Sequence, residues 1–302
     1  MVIKNIVING GGPVIFNTYG ALRESQKKGL WKYEEVERFF GTSAGAIMAL
    51  MMALNYPWDD IDDFMIDRPW NHVFKFNIVN IFEYYENNGI LGIEYVYDIF
   101  TPLFNGKDID INITFSDFYS LTGKSMYFYT TDLNTFDVIE LSHETHPNMK
   151  LLDGVYASSC LPILCRPLKV ENTHLMDGFL CNYPISMCYN KIKSLDETLG
   201  IRNKYLNISS AIDYENMNMV SYLSSLLDKM IDKYQNIIFK SYTPKYEITL
   251  KIYSNDMYQI LNTSLDPVER KKLIESGATD ASDYVTSIYE NHDEQIALDS
   301  RE

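Results

Sequence analysis

The chain is short of cysteine, of basic residues and of long apolar runs, and each shortage removes a class of protein. Its four cysteines, Cys160, Cys165, Cys181 and Cys188, form neither a Cys-x-x-Cys pair nor a metal-ligand spacing. Four thiols in 302 residues are too sparse for a disulfide scaffold, so they read as reduced, structural thiols of a cytosolic chain. Lysine and arginine total 26 against 41 acids, a net charge of −15. A nucleic-acid partner needs clustered cations, which this balance does not supply. Unaided attraction to an anionic membrane is disfavoured on the same ground. The longest uncharged apolar stretch, Ala44 to Leu54, falls well short of the roughly 20 residues that cross a bilayer. The N-terminal run from Val2 to Ile8 is broken by Lys4 and Asn5 and ends at three glycines, which is not the pattern of a signal peptide. Repeats, low-complexity blocks and domain linkers are missing too. The expectation is a cytoplasmic chain with one domain over 1–290 and a frayed acidic tail over 291–302.

What is present is a hydrophobic fraction of 46%, ample for a packed core. Val2 to Ile8 is a β-branched run of strand length, nearly continuous in apolar character, as in a strand covered on both faces of a parallel sheet. Gly10-Gly11-Gly12-Pro13 breaks it. A surface helix is expected over Gly20 to Lys32, a second strand over Val36 to Phe40, and a helix over Ser43 to Asn55, rich in Ala, Met and Leu. Strand, helix, strand, helix in this order indicates an α/β fold with a parallel sheet. Further on, Pro57-Trp58-Asp59-Asp60 opens a helix, Phe74 to Tyr97 is assigned loosely to loops and helix, and Ser125 to Thr131 pairs with Phe136 to Leu141 as a hairpin. Asn148 to Cys160 reads as a helix, and Leu168 to Val170, His174 to Met176 and Tyr205 to Ser209 as short strands. Met219 to Ile231 carries apolar residues at helical spacing and is read as core-facing. Asp266-Pro267-Val268-Glu269 is a helix start, with Gly277 as its expected stop.

Gly41-Thr42-Ser43-Ala44-Gly45 is the informative pentapeptide. A Gly-x-Ser-x-Gly between a strand and a helix forms a nucleophile elbow, in which Gly41 and Gly45 remove side chains that would clash at a strained turn. Ser43 then projects at the sheet edge, and the Ala44 N–H at the helix N-terminus faces a developing oxyanion. Gly10, Gly11 and Gly12 supply a second set of backbone donors. A nucleotide reading fails, because neither Gly-x-Gly-x-x-Gly nor a P-loop follows the first strand. The base for Ser43 is open between two solutions. A histidine triad must draw on His72, His143, His146, His174 or His292, with Asp132 or Asp177 as its acid, and none of these histidines sits in a persuasive context. Asp177, at the end of a short apolar strand and followed by Gly178, offers a direct carboxylate base instead.

Taken together, Gly10-Gly11-Gly12, Gly41-Thr42-Ser43-Ala44-Gly45, Ala157-Ser158-Ser159-Cys160-Leu161-Pro162 and Asp177-Gly178-Phe179-Leu180-Cys181-Asn182-Tyr183-Pro184 resemble, in order, the four blocks of patatin-like phospholipases. The resemblance spans nearly the whole chain. It implies a three-layer α/β/α fold with a mainly parallel central sheet, and a Ser43–Asp177 dyad with an oxyanion hole drawn from Gly10, Gly11, Gly12 and Ala44. The implied activity is phospholipase A-like hydrolysis of acyl esters in phospholipids or other lipids, through an acyl-enzyme and without metal or cofactor. Its implied partners are the lipid substrate, a transient membrane surface and, left open, a protein activator.

Two departures stand out. The family's glycine loop usually continues with a basic residue, where this chain has Pro13, Val14 and Ile15; Arg166 is a candidate substitute. Phe179 stands where the family has a small residue, placing a bulky ring beside the expected base. Both features keep a catalytically silent lipid- or protein-binding relative open as the alternative, beside a triad esterase.

Overall fold

The computed structural model describes residues 2–73, 88–192, 194–206, 242–253 and 265–299, with scattered helical positions between 222 and 234. The wholly buried strand β1 (Asn5–Ile8) is followed by α1 (Ile15–Lys27), β2 (Arg38–Thr42), α2 (Ala44–Ala53) and α3 (Trp58–Ile66). Next come β3 (Gly89–Leu91), α4 (Glu94–Asn105), α5 (Phe115–Thr122) and an antiparallel pair, β4 (Ser125–Asp132) and β5 (Val138–Ser142). After α6 (Leu151–Ser159) lie β6 (Ile163–Cys165), β7 (Leu168–Val170) and β8 (Thr173–Asp177). A single turn of helix, α7 (Ile185–Cys188), precedes β9 (Thr198–Tyr205), β10 (Tyr246–Ile252) and α8 (Pro267–Asp299).

The main sheet runs β10-β9-β1-β2-β4-β8-β7, with β5 also on β4. Its first five strands are mutually parallel, and the β8 and β7 edge is antiparallel. Period-two alternation distributes each central strand between two cores. Ile6, Ile8, Phe39, Met126 and Phe128 enter the larger one. Val7, Phe40, Tyr127 and Tyr129 enter a smaller one, closed by Ile185, Cys188 and Ile192. A strand buried on both faces must be apolar at nearly every position, which explains the continuous run in β1. Phe40 stacks on Tyr127 at 4.7 Å across the β2–β4 pair, and all four cysteines are free and buried.

Several boundaries differ from the sequence reading. The helix after β1 begins at Ile15 and buries most of its length, rather than lying on the surface from Gly20. The cause is α8, whose backbone presses directly on it. A side chain at Gly20 would run into the Ile274 carbonyl, and one at Gly277 into the Asn17 carbonyl. Gly277 is therefore an interior contact point, not a stop. α8 starts as expected, with Asp266 Oδ1 accepting the Val268 N–H at 2.8 Å, but continues to Asp299, so residues 291–299 of the acidic segment are helical in backbone, while 300–302 lie outside the described ones. The strand expected at Tyr205 to Ser209 is instead β9, which ends at Tyr205; residues 207–209 lie outside the described ones. So do residues 74–87 of the segment assigned to loops and helix, and most of Met219 to Ile231. In that last segment Tyr222, Leu226 and Met230 are exposed, not core-facing. Among the described residues, no helix is long and apolar enough to cross a membrane.

Candidate active site

β2 ends at Thr42, and Ser43 turns the chain into α2 with φ 56° and ψ −127°. A left-handed conformation on a residue bearing a Cβ costs on the order of 1–3 kcal/mol, so the surroundings must impose it. The Ser43 N–H donates to Ser158 Oγ at 3.0 Å. Its carbonyl accepts from Ala46 at 2.9 Å, and Thr42 Oγ1 donates to the Cys181 carbonyl at 2.9 Å. Gly41 and Gly45 allow the turn to close: a Cβ on Gly41 would strike the Gly45 carbonyl, and one on Gly45 would lie 2.5 Å from the Ile8 carbonyl.

Strand register brings Asp177 to this turn. β4 pairs with β2 as far as Thr42↔Tyr129, while β5 occupies the opposite edge of β4 from Tyr127 to Thr131. The edge that β2 leaves vacant is taken by β8, where Asp177 pairs with Thr130. Asp177 thus sits one step beyond Thr42, beside Ser43. Ser43 Oγ donates to Asp177 Oδ2 at 2.6 Å. The carboxyl is 1% exposed, and burial pushes its pKa up to about 7, against the Ser43 hydroxyl and the Phe179 N–H, which favour the charged form. The backbone is pinned as firmly: the Asp177 N–H donates to the Cys160 carbonyl at 3.0 Å and the Gly178 N–H to the Ser158 carbonyl at 3.1 Å. Phe179 does not stand free beside the base. Its side chain is 7% exposed and packs in the larger core, leaving its N–H to the carboxylate.

The glycine turn lies against the elbow. A Cβ on Gly10 would fall 3.0 Å from Ser43 Cβ. Gly10 cannot itself be an oxyanion donor, because its N–H is committed to the Asn182 carbonyl at 2.9 Å. Its carbonyl accepts from Asn9 Nδ2 and from Asn203 Nδ2, each at 2.7 Å. Gly11 and Gly12 adopt φ of 150° and 53°, and Pro13 starts a short turn closed by Val14 N–H to the Gly11 carbonyl at 3.2 Å. Gly11 and Gly12 on this turn, and Ala44 in the first turn of α2, carry amides that no described group takes; in the helix this is the usual state of first-turn N–H groups.

The histidines lie elsewhere. His143 stacks on Tyr119 at 4.1 Å, His146 Nδ1 lies 3.0 Å from Thr145 Oγ1, and His72 and His174 are exposed. The His292 side chain is outside the described residues. Asp132 accepts from Thr173 Oγ1 at 2.5 Å and from the Asn134 N–H at 2.8 Å, so it caps the hairpin. Arg166 sits beside Gly92 and Glu94 at the start of α4. Sequence reasoning does not reach Ser158 or Asn203 as site residues. Ser158 lies in the block from Ala157 to Pro162, whereas nothing in the residues around Asn203 marks it.

Sheet, glycine turn and serine elbow together define a patatin-type α/β fold. The model of the patatin-like phospholipase family matches residues 6–189, and the chain belongs to that family. It is 25% identical over 293 residues to the uncharacterized protein R571 of Acanthamoeba polyphaga mimivirus, with 91% of each chain covered. To the probable lipid hydrolase 463L of Invertebrate iridescent virus 6 it is 24% identical over 230 residues, covering 72% of this chain and 77% of that one. Among solved structures, VipD from Legionella pneumophila aligns with a TM-score of 0.58 at 15% identity, over 95% of this chain and 67% of VipD; that likeness is one of fold.

Proposed function

We propose that this chain is a lipid acyl hydrolase in which Ser43 and Asp177 act as a dyad. The observation that carries the reading is the 2.6 Å bond from Ser43 Oγ to a buried carboxyl raised to about 7. A base poised near neutrality accepts a proton in attack and returns it to the leaving group, which is the balance general catalysis requires. Asp177 takes the Ser43 proton as Oγ adds to the ester carbonyl. The amides of Gly11, Gly12 and Ala44 receive the oxyanion. Collapse expels the alcohol with the proton from Asp177 and leaves an acyl-Ser43. Asp177 then deprotonates water, which attacks the acyl carbon and restores the serine. Family membership and the relative named as a probable lipid hydrolase support a lipid ester as the substrate.

The test is fatty-acid release from phospholipid vesicles and from p-nitrophenyl esters. Ser43→Ala and Asp177→Asn are each expected to abolish both. Activity that survives Asp177→Asn but is lost with His174→Ala would overturn the dyad. A serine-reactive fluorophosphonate separates an enzyme from a silent binding module, because labelling that depends on Ser43 requires an activated hydroxyl. With a net charge of −15, binding to anionic vesicles should rise as salt screens the acidic surface; a fall with salt would point to a basic patch instead.

A further inference from the structure

Asn203 stands where the glycine turn leaves the sheet. β9 runs parallel to β1, with Ile8 opposite Ile201, and the ladder extends one step further through the Asn9 N–H to the Ile201 carbonyl at 3.1 Å. Beyond that point the β1 chain peels away, while β9 continues to Tyr205 along β10. On the departing chain, the Gly10 carbonyl takes the side-chain amide of Asn203 at 2.7 Å. Asn9 Nδ2 supplies a second donor, so both lone pairs of this oxygen are engaged.

We infer that Asn203 is a positioning residue, which sets the oxyanion hole by fixing the plane of the Gly10–Gly11 peptide. The inference rests on the proposed role of the Gly11 amide. In a trans peptide the carbonyl and the following N–H point in opposite directions. Holding the Gly10 carbonyl against Asn203 therefore aims the Gly11 N–H away from Asn203. With glycine on both sides, no Cβ restricts rotation of this peptide, so its direction is set by what holds it. The identity of the amide ends follows from the contact, since only a donor can lie 2.7 Å from a carbonyl oxygen. The other end, Asn203 Oδ1, is buried and has no partner among the described residues. An orphaned acceptor is destabilising, and an apolar side chain here would avoid it. What the amide supplies in exchange is the bond to Gly10.

The test measures kcat, KM and inhibition by an alkyl trifluoromethyl ketone, whose adduct with Ser43 carries the oxyanion, for wild type, Asn203→Ala and Asn203→Asp. Losing a whole oxyanion donor costs about 100- to 1,000-fold in kcat. Misaiming one should cost on the order of 10-fold in Asn203→Ala, where Asn9 still holds the carbonyl, and about 100-fold in Asn203→Asp, where a carboxylate repels it. KM should stay within about two-fold and ketone affinity should fall in step with kcat. As pH falls, the carboxyl of Asn203→Asp regains a donor proton, so its deficit relative to wild type should shrink. Wild-type kcat in Asn203→Asp, or a loss confined to KM, or unchanged ketone affinity would overturn the inference. If Asn203→Asp does not fold, Asn203→Ala decides by the same criteria. Ester hydrolysis that survives Ser43→Ala would instead remove the dyad reading itself, whatever the Asn203 variants do.

Discussion

The two ends of α2 differ, and the proposed chemistry lies at one of them. About 15 Å separates them, from the 1.5 Å rise per helical residue. At the far end lies a cleft of about 540 Å³ lined by Trp31, Tyr33, Tyr56 and Trp58 among others. Several of its polar groups are partnered from within. Tyr33 donates to the Ala53 carbonyl at 2.9 Å, Lys107 to the Asn55 carbonyl at 3.0 Å, Tyr56 to the Leu103 carbonyl at 2.6 Å, and Trp58 to Gln26 at 2.6 Å. At the Ser43 end the groups are not at rest: a left-handed serine, a buried acid with a raised pKa, and a first-turn amide with no described partner. Volume does not make a catalytic site. Strained backbone and perturbed pKa values are the better guide, because they cluster at functional sites.

This contrast can be broken by mutation. The largest expected effect is that of Ser43→Ala, which should lower kcat by about 1,000-fold or more with the melting temperature retained, whereas Lys107→Ala at the cleft should leave kcat at the wild-type level. Equal losses at both ends would dissolve the comparison. Next is pH. Asp177 must be ionised to accept a proton, so kcat/KM should fall about tenfold per unit as pH drops below about 7, and a flat profile from pH 5 to 8 would reject Asp177 as the base.

The same carboxyl couples activity to stability. Its folded pKa of about 7 lies above the ordinary 3.8, so the folded state binds the proton more tightly. The stabilisation is complete below about pH 4 and is lost as pH rises through 7. Asp177→Asn, which cannot ionise, should therefore be inactive yet more stable than wild type above pH 7, by on the order of 2–4 kcal/mol. Urea unfolding at pH 4 and pH 8 checks it: the gain should be present in full at pH 8 and small at pH 4.

Smaller effects sharpen the picture. Ser158→Ala removes the acceptor of the Ser43 N–H and the hydroxyl that donates to the Tyr129 carbonyl at 2.7 Å. It should cost about 1–2 kcal/mol of stability and roughly tenfold in kcat, read by melting and by ester hydrolysis; an unchanged kcat would mean that the elbow holds its strained φ without this bond. Smallest is Lys107→Ala in stability, where loss of the ammonium 4.5 Å from the centre of the Tyr56 ring should cost about 0.5–1 kcal/mol.

Much of this was legible in the residues. The nearly continuous apolar run named β1 because a strand covered on both faces must be apolar throughout, and alternation named the β4–β5 hairpin because each side of a sheet demands its own residue at every second position. Gly41 and Gly45 named the elbow because no larger residue fits there. The reading failed at Gly20 and Gly277, where sequence grammar saw a helix start and a stop. The same glycines let two helices touch, a use that depends on a partner far along the chain. The glycine turn after β1 counts Gly10 among the anion donors, but the Asn182 carbonyl takes its N–H.

By itself, then, the sequence determined the local events: a strand, a glycine turn, a second strand, a strained serine and a late Asp-Gly. These follow from short-range sterics and periodicity, which neighbouring residues carry. Only the tertiary structure decided which groups meet. Ser43 and Asp177 are 134 positions apart and join because β8 takes over the edge of β4 where β2 stops. Asn203 and Gly10 are 193 apart and join because β9 outlasts β1. Strand length and register set both encounters, and these are properties of the assembled sheet that no local pattern records.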